Sequence, residues 1–335
     1  MNWLAFDIGG ANLKVADGQG FAHSFAFALW KDSKQLAREL RTLIAESPAA
    51  DHIAVTMTGE LADCFESKAE GVRFILHSLQ EAADGRHTRV YLTNGKIVSL
   101  QVALQRTSEA AAANWHALAQ FACRFVHPDG ALLIDIGSTT TDIIPLIGGQ
   151  AASQGTTDTE RLLYDELVYA GIERTPVCAL TPKVPFRTNP CPVALELFAT
   201  TLDAYLLTGE LPESPLNQQT ADGRPATKSA ARNRMGRMIG APEDYNHRDA
   251  VAMAMAVAEA HTAKLAGAVQ RVVDRIGAPA QIVISGHGEF VARKVLEKLG
   301  LTAQVISLKD QLGVGVSRCA PAHALATLAR ESVGG

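Results

Sequence analysis

The chain has few cysteines and builds no framework from them. Cys64, Cys123, Cys178, Cys191 and Cys319 are odd in number, widely scattered and never spaced C-x-x-C. That pattern argues against a disulfide scaffold or a structural zinc site and points to a reducing, cytoplasmic compartment. An excess of one charge is also missing. Thirty-one basic against 35 acidic residues leave a net charge of −4, too weak a field to gather nucleic acid or an anionic membrane. No apolar run reaches the roughly 18 residues of a membrane span. Met1-Asn2-Trp3 leads directly into a strand-like run, so no signal peptide is expected. There is no short-period solenoid repeat. What remains is a chain of 335 residues, 47% hydrophobic and 20% charged. That is the profile of a soluble globular protein with enough core for two domains, and it is compatible with a homo-oligomer.

The informative stretch is Asp135–Asp142, DIGSTTTD. Ala131-Leu132-Leu133-Ile134 precedes it as a short buried strand would, and Ile143-Ile144-Pro145-Leu146 follows it. An acid at a strand end, then Gly137 where backbone can approach a ligand, then the hydroxyls of Ser138, Thr139 and Thr140, suits the grip of a phosphate group. Leu4-Ala5-Phe6 leads into the same design at Asp7-Ile8-Gly9-Gly10-Ala11-Asn12-Leu13-Lys14, 128 residues earlier. Two copies imply two related domains facing one ligand. Asp7 and Asp135 are placed to hold Mg²⁺, directly or through water, and Lys14 to neutralise phosphate. The plainer alternatives are acids that close their turns on backbone amides, and threonines that merely suit strands.

Periodicity predicts a strand meander (Trp3–Phe6, Leu13–Ala16, Phe21–Ala28), a helix capped by Ser33 and running to Glu46, and a strand at His52–Thr56. A helix at Glu66–Ala83, a strand at Arg89–Leu92 and an alanine-rich helix over Ser108–Phe125 follow. After His127-Pro128-Asp129-Gly130 the order restarts, with strands at Leu132–Asp135 and Asp142–Ile147 and a helix over Thr159–Gly171. Five prolines make Thr175–Pro192 extended. Helices are expected at Val193–Leu207, Ala226–Ile239, Arg248–Ile276, Val291–Leu299 and Cys319–Ser332, with strands at Gln281–Ser285 and Gln304–Ser307.

Gly286-His287-Gly288-Glu289 is a third glycine turn, opening a helix whose N-terminus favours anions. His287 there is an acid, base or phosphate donor, or an ordinary loop histidine; Glu289 is catalytic or a dipole partner of its helix. Arg224, Lys228, Arg232, Arg234 and Arg237 form a solvated helix face or a basic lid over an anionic substrate. Arg174, after Gly171, is placed to reach the same cleft.

The paired D-x-G turns resemble the phosphate loops of the superfamily of actin, heat-shock chaperone ATPases and sugar kinases. Thr56–Asp63 and Gly313–Gly315 fall where that superfamily has its connecting segments, and Gly286–Glu289 where it has its adenosine loop. DIGGANLK, MTGELADCF, ELVYAGIERTPV, TADGRPATKSAAR and SGHGEF resemble the hydantoinase/oxoprolinase branch, closest to its short members linked to tetrahydromethanopterin-dependent one-carbon metabolism. The resemblance implies a two-domain α/β fold of the actin-like (ribonuclease H-like) kind with its ligand between the domains. The expected domains are 1–127, then 128–318 with an inserted helical segment about 176–247, then a helix over 319–335 that packs back on the first.

It further implies an alkyltransferase of methanofuran biosynthesis. Such an enzyme joins a furfurylamine diphosphate to the phenol of tyramine or γ-glutamyltyramine, forms an aryl ether and releases pyrophosphate. On that expectation Mg²⁺ sits at Asp7 and Asp135, and Asp142 or Glu289 takes the phenol proton. Gly9, Gly10, Asn12, Lys14, Gly137, Ser138, Thr139, Thr140, Arg174, Lys228, Arg232, Gly286, His287 and Gly288 would surround the diphosphate and its partner, and ATP is not required. An ATP-dependent small-molecule kinase and a non-catalytic, nucleotide-dependent scaffold fit the same motifs.

Overall fold

Trp3–Ile8 (β1, WLAFDI) is buried at every position. A strand with no solvent face belongs in the middle of a sheet covered on both sides. The computed structural model, which describes residues 2–333, places it there. β1 pairs antiparallel with β2 (Asn12–Ala16) and parallel with β4 (His52–Met57). With β3 (Ala22–Ala26), β5 (His87–Tyr91) and β6 (Ile97–Ser99) the order is β3-β2-β1-β4-β5-β6. The second half repeats the plan. β7 (Ala131–Ile136) is antiparallel to β8 (Thr141–Ile147), which carries β9 (Gln150–Ala151) and β10 (Leu167–Val168). Across the sheet β7 is parallel to β13 (Gln281–Ser285), and β13 to β14 (Gln304–Ser307). A separate hairpin joins β11 (Lys183–Phe186) to β12 (Asn189–Pro192).

The helices fill three layers. α1 (Leu29–Asp32) closes the meander, and α2 (Leu36–Glu46) and α3 (Lys68–Ala83) turn Leu40, Leu43, Val72, Ile75 and Leu79 onto one face of the first sheet. α4 (Leu100–Gln105) and α5 (Thr107–Ala110) seal its end. Two helices stand between the sheets, α6 (Asn114–Ala122) and α14 (Ala320–Val333). Ala117, Leu325, Ala326 and Ala329 pack on Trp3, Ala5 and Ala54, whereas Trp115, Leu118, Phe121 and Ala324 pack on Leu133, Ile144 and Val283. Alanine on both faces lets each helix approach two sheets at once, and this shared layer fixes the two halves against each other. α7 (Asp158–Leu163) leads to β10. α8 (Thr201–Thr208), α9 (Lys228–Arg237) and the first half of α10 (His247–Ile276) make a separate core around Leu206, Met235, Met253 and Val257. The rest of α10 and α11 (Glu289–Leu299) cover the second sheet, and α12 (Leu308–Leu312) and α13 (Val314–Ser317) lead into α14.

Several helices differ from the periodic reading. Ser33 opens a single 3₁₀ turn, and α2 begins at Leu36 without a side-chain cap. The helix expected over Ser108–Phe125 breaks at Ala112, which takes a left-handed φ of +47°. Helix propensity favours continuing there; the chain turns instead because α6 must enter the layer between the sheets. The helix expected over Thr159–Gly171 stops at Leu163. Asp165 is left-handed at φ +58°, and the fully buried Glu166 carboxylate collects the backbone N–H groups of Gln154 and Gly155. Val193–Leu207 is helical only from Thr201, because residues 195–198 bend and the Ala199 carbonyl accepts a backbone bond from Val177.

Candidate active site

The two D-x-G hairpins share their turn hydrogen bond and strand register. Gly9 N–H donates to the Asn12 carbonyl at 3.0 Å, and Gly137 N–H to the Thr140 carbonyl at 2.9 Å. In strand register Asp7 faces Lys14, and Asp135 faces Asp142. The duplication therefore puts a cation in one domain where the other has an acid. Lys14 Nζ lies 3.5 Å from Asp7 Oδ2, whereas Asp142 is held by the buried guanidinium of Arg161. Burial works against the Lys14 charge, but Asp7 and Asp135 outweigh it and hold its pKa above the ordinary value. Burial, then the Asp142 charge, pushes Asp135 up to about 6. Asp142 is raised by burial despite Arg161.

Between the turns lies a cleft of two connected chambers, of about 430 and 370 Å³. Asn12, Lys14, Asp135, Gly137 and Ser138 line both and form the passage between them. The larger chamber takes Asp7, Gly9, Gly10, Thr139, Thr140 and Asp142 from the turns. Arg174 reaches its mouth, 5.0 Å above the ring of Trp30 from the first half. The smaller chamber holds Gly286 and His287, whose Nδ1 is 3.7 Å from Glu173 Oε1. The loop residues Leu216–Gln219 overhang it.

Four expected residues lie elsewhere. Glu289 is buried behind the glycine turn and accepts from Ser307 Oγ at 2.6 Å and Lys309 N–H at 3.0 Å. Its carboxylate is spent on joining α11 to α12, not on the cleft. Gly288 is packed rather than open: a Cβ there would lie 2.4 Å from Ile136 Cγ2. Lys228 and Arg232 lie on α9 and line neither chamber. Within the basic cluster, Arg234 is fully buried against Asp203 and Asp222 at 2.7 and 3.0 Å, and Arg237 also pairs with Asp222.

The structure adds residues that sequence reasoning missed. Glu60, just beyond β4, lines the larger chamber, is 1% exposed, and has no hydrogen-bond partner on either carboxylate oxygen. Burial pushes it up to about 7. Its signal was present as Thr58-Gly59-Glu60, another strand end with glycine and acid. Trp115, under Arg161 at 4.0 Å, and Tyr169 also line this chamber. Nothing in the sequence marks Arg161 apart from any other helical arginine.

Two sheets of matched order, a helix layer between them and duplicated acid–glycine turns facing one cleft define an actin-like ATPase fold. Acetone carboxylase, in its nucleotide-free structure, shares that fold with a TM-score of 0.51 at 15% identity, over 94% of this chain and 51% of that one. The chain belongs to the hydantoinase/oxoprolinase family, whose model matches residues 51–332. A relative from Methanocaldococcus jannaschii is 31% identical over 336 residues, covering 98% of each chain. It is named a (4-{4-[2-(gamma-L-glutamylamino)ethyl]phenoxymethyl}furan-2-yl)methanamine synthase. A Methanococcus vannielii relative of the same name is 32% identical over 205 residues, 60% of this chain and 91% of its own.

Proposed function

We propose that this protein is an alkyltransferase of methanofuran biosynthesis, forming an aryl ether between a (aminomethyl)furanmethyl diphosphate and the phenol of γ-glutamyltyramine or tyramine, with release of pyrophosphate. The full-length relative from M. jannaschii carries the reading, since the compound in its name contains that phenoxymethyl–furan bond. The cleft supports it independently. Charged Lys14 and Ser138 line both chambers, and Thr139 and Thr140 line the larger one, together a donor set for a diphosphate. Negative charge grows on the diphosphate as its carbon–oxygen bond breaks, and fixed donors already in place stabilise that charge without reorganising.

Mg²⁺ suits the same place. Asp7 Oδ1 is buried without a hydrogen-bond partner and Asp135 lines the same cleft, so these two carboxylates would hold Mg²⁺ together with the substrate's phosphates and water. Bound there, Mg²⁺ would neutralise the leaving group. Trp30, Trp115 and Tyr169 offer the larger chamber's apolar surface to the phenol ring. No described helix is long and apolar enough to cross a membrane.

The test is purified protein with Mg²⁺, the furfurylamine diphosphate and γ-glutamyltyramine, assayed for pyrophosphate and the ether with and without ATP. Turnover without ATP is expected, as is a loss of at least about 100-fold in Asp135→Asn. No pyrophosphate from the wild type overturns the reading, and ATP-dependent phosphorylation of the phenolic amine would make the protein a kinase instead.

A further inference from the structure

Forming the ether requires a proton acceptor, because an unperturbed phenol has a pKa of about 10. We infer that Glu60 is that acceptor: the phenol enters the larger chamber and gives its proton to a carboxylate at the chamber floor. The inference rests on the synthase reading and adds to it the base and the side of the cleft on which the phenol binds.

The other acids in reach are committed. Asp142 is held by Arg161, Asp158 is paired with Lys68 at 2.7 Å, and Asp7 faces Lys14 at 3.5 Å. Asp135 lies in the passage beside Lys14, where the diphosphate is expected. Asp63, also on the wall, is exposed and keeps its water. Glu60 alone combines burial with two unpartnered oxygens. An unpaired buried carboxylate is costly, so a fold that keeps one has reason to. Its backbone is fixed by α3: a Cβ on Gly71 would lie 2.4 Å from the Glu60 carbonyl oxygen. Its own backbone N–H dipole and then the Lys68 charge draw Glu60 toward its ionised form, while Asp158 and Asp7 oppose it. Burial prevails, so the group exchanges its proton near neutral pH, and the ionised carboxylate present there is the form that accepts the phenol proton.

In the step, the phenol O–H bond breaks and its proton passes to a Glu60 oxygen. The freed oxygen pair forms a bond to the furan methylene carbon. The bond from that carbon to the diphosphate oxygen breaks, and its electron pair leaves with pyrophosphate. Water then takes the proton from Glu60. The methylene faces the passage and the ring faces the aromatic wall, so the phenol attacks from the side opposite the leaving group.

The experiment measures Glu60→Gln against wild type with γ-glutamyltyramines whose rings carry increasing numbers of fluorines, which makes the phenol progressively more acidic. With the unsubstituted phenol kcat should fall at least about 100-fold, while KM for the diphosphate stays within about twofold. The deficit should shrink as the phenol loses its need for a base. Glu60→Asp should recover part of the activity, and Gly71→Ala, which keeps the carboxylate but displaces its backbone, should lose activity with the same dependence on phenol acidity. A deficit independent of phenol acidity, or full activity in Glu60→Gln, overturns the assignment of the base while leaving the synthase reading intact. Absence of wild-type turnover overturns both.

Discussion

A buried carboxylate kept without a partner should be visible in stability as well as in turnover. The Glu60 pKa stands at about 7 in the fold against an ordinary 4.5, which amounts to about 3 kcal/mol against the ionised form. The sign follows from proton binding. Between those two values the folded chain holds more protons on this group than the unfolded chain, so stability falls as pH rises. The contribution is fully present below pH 4.5 and is lost by the time pH has passed about 7. Glu60→Gln has no charge to bury and should lack that slope. Above pH 7.5 it should therefore be more stable than wild type by up to about 3 kcal/mol. With an unfolding entropy of about 2.1 cal/mol/K per residue over 335 residues, that raises Tm by about 4 °C. Asp135, raised to about 6, adds a slope of the same sign at lower pH, so the informative quantity is the difference between the two proteins. Urea unfolding from pH 4.5 to 8 in EDTA measures it, with chelator present so that no divalent ion compensates the charge. Parallel stability curves, or a Gln variant less stable than wild type above pH 7.5, would refute the reasoning that Glu60 is buried and uncompensated.

Glu289→Ala should keep kcat within about twofold and lower unfolding free energy by about 1–3 kcal/mol, because Ser307 and the Lys309 N–H lose their acceptor; a folded variant without turnover would restore a catalytic role. Arg161→Met leaves Asp142 buried and unpaired, and the urea midpoint should report a loss of about 3–5 kcal/mol, much of it regained in the double variant with Asp142→Leu. Recovery should be absent if the pair contributes only charge to the cleft. Gly288→Ala drives a methyl toward Ile136 Cγ2 at 2.4 Å, and calorimetry should register about 1–3 kcal/mol of overpacking. An unchanged Tm would mean that α11 shifts freely on β7.

The repeat was legible because it is local. A strand of buried residues, an acid, a glycine and hydroxyls are neighbours in the chain, and each copy declares its turn by itself. From two copies follow two sheets, one cleft and the residues on its walls from Asp7 to Lys14 and from Asp135 to Thr140. Local rules also failed where distant contacts won. The alanine run around Ala112 is a good helix by propensity, yet it breaks so that α6 can fit between the sheets. The basic stretch of α9 reads as a solvated face or a lid, but Arg234 in it is buried and paired with Asp203 and Asp222.

Which acids face the cleft was likewise beyond the sequence. Glu289 and Glu60 each follow a glycine after a strand. One is claimed by Ser307 and Lys309, and the other is left bare. The sequence by itself determined the duplicated acid–glycine turns, since backbone conformation and hydroxyl supply are properties of adjacent residues. Only the tertiary structure decided which carboxylates are free to act, because burial and hydrogen-bond partners are supplied by segments far away in the chain.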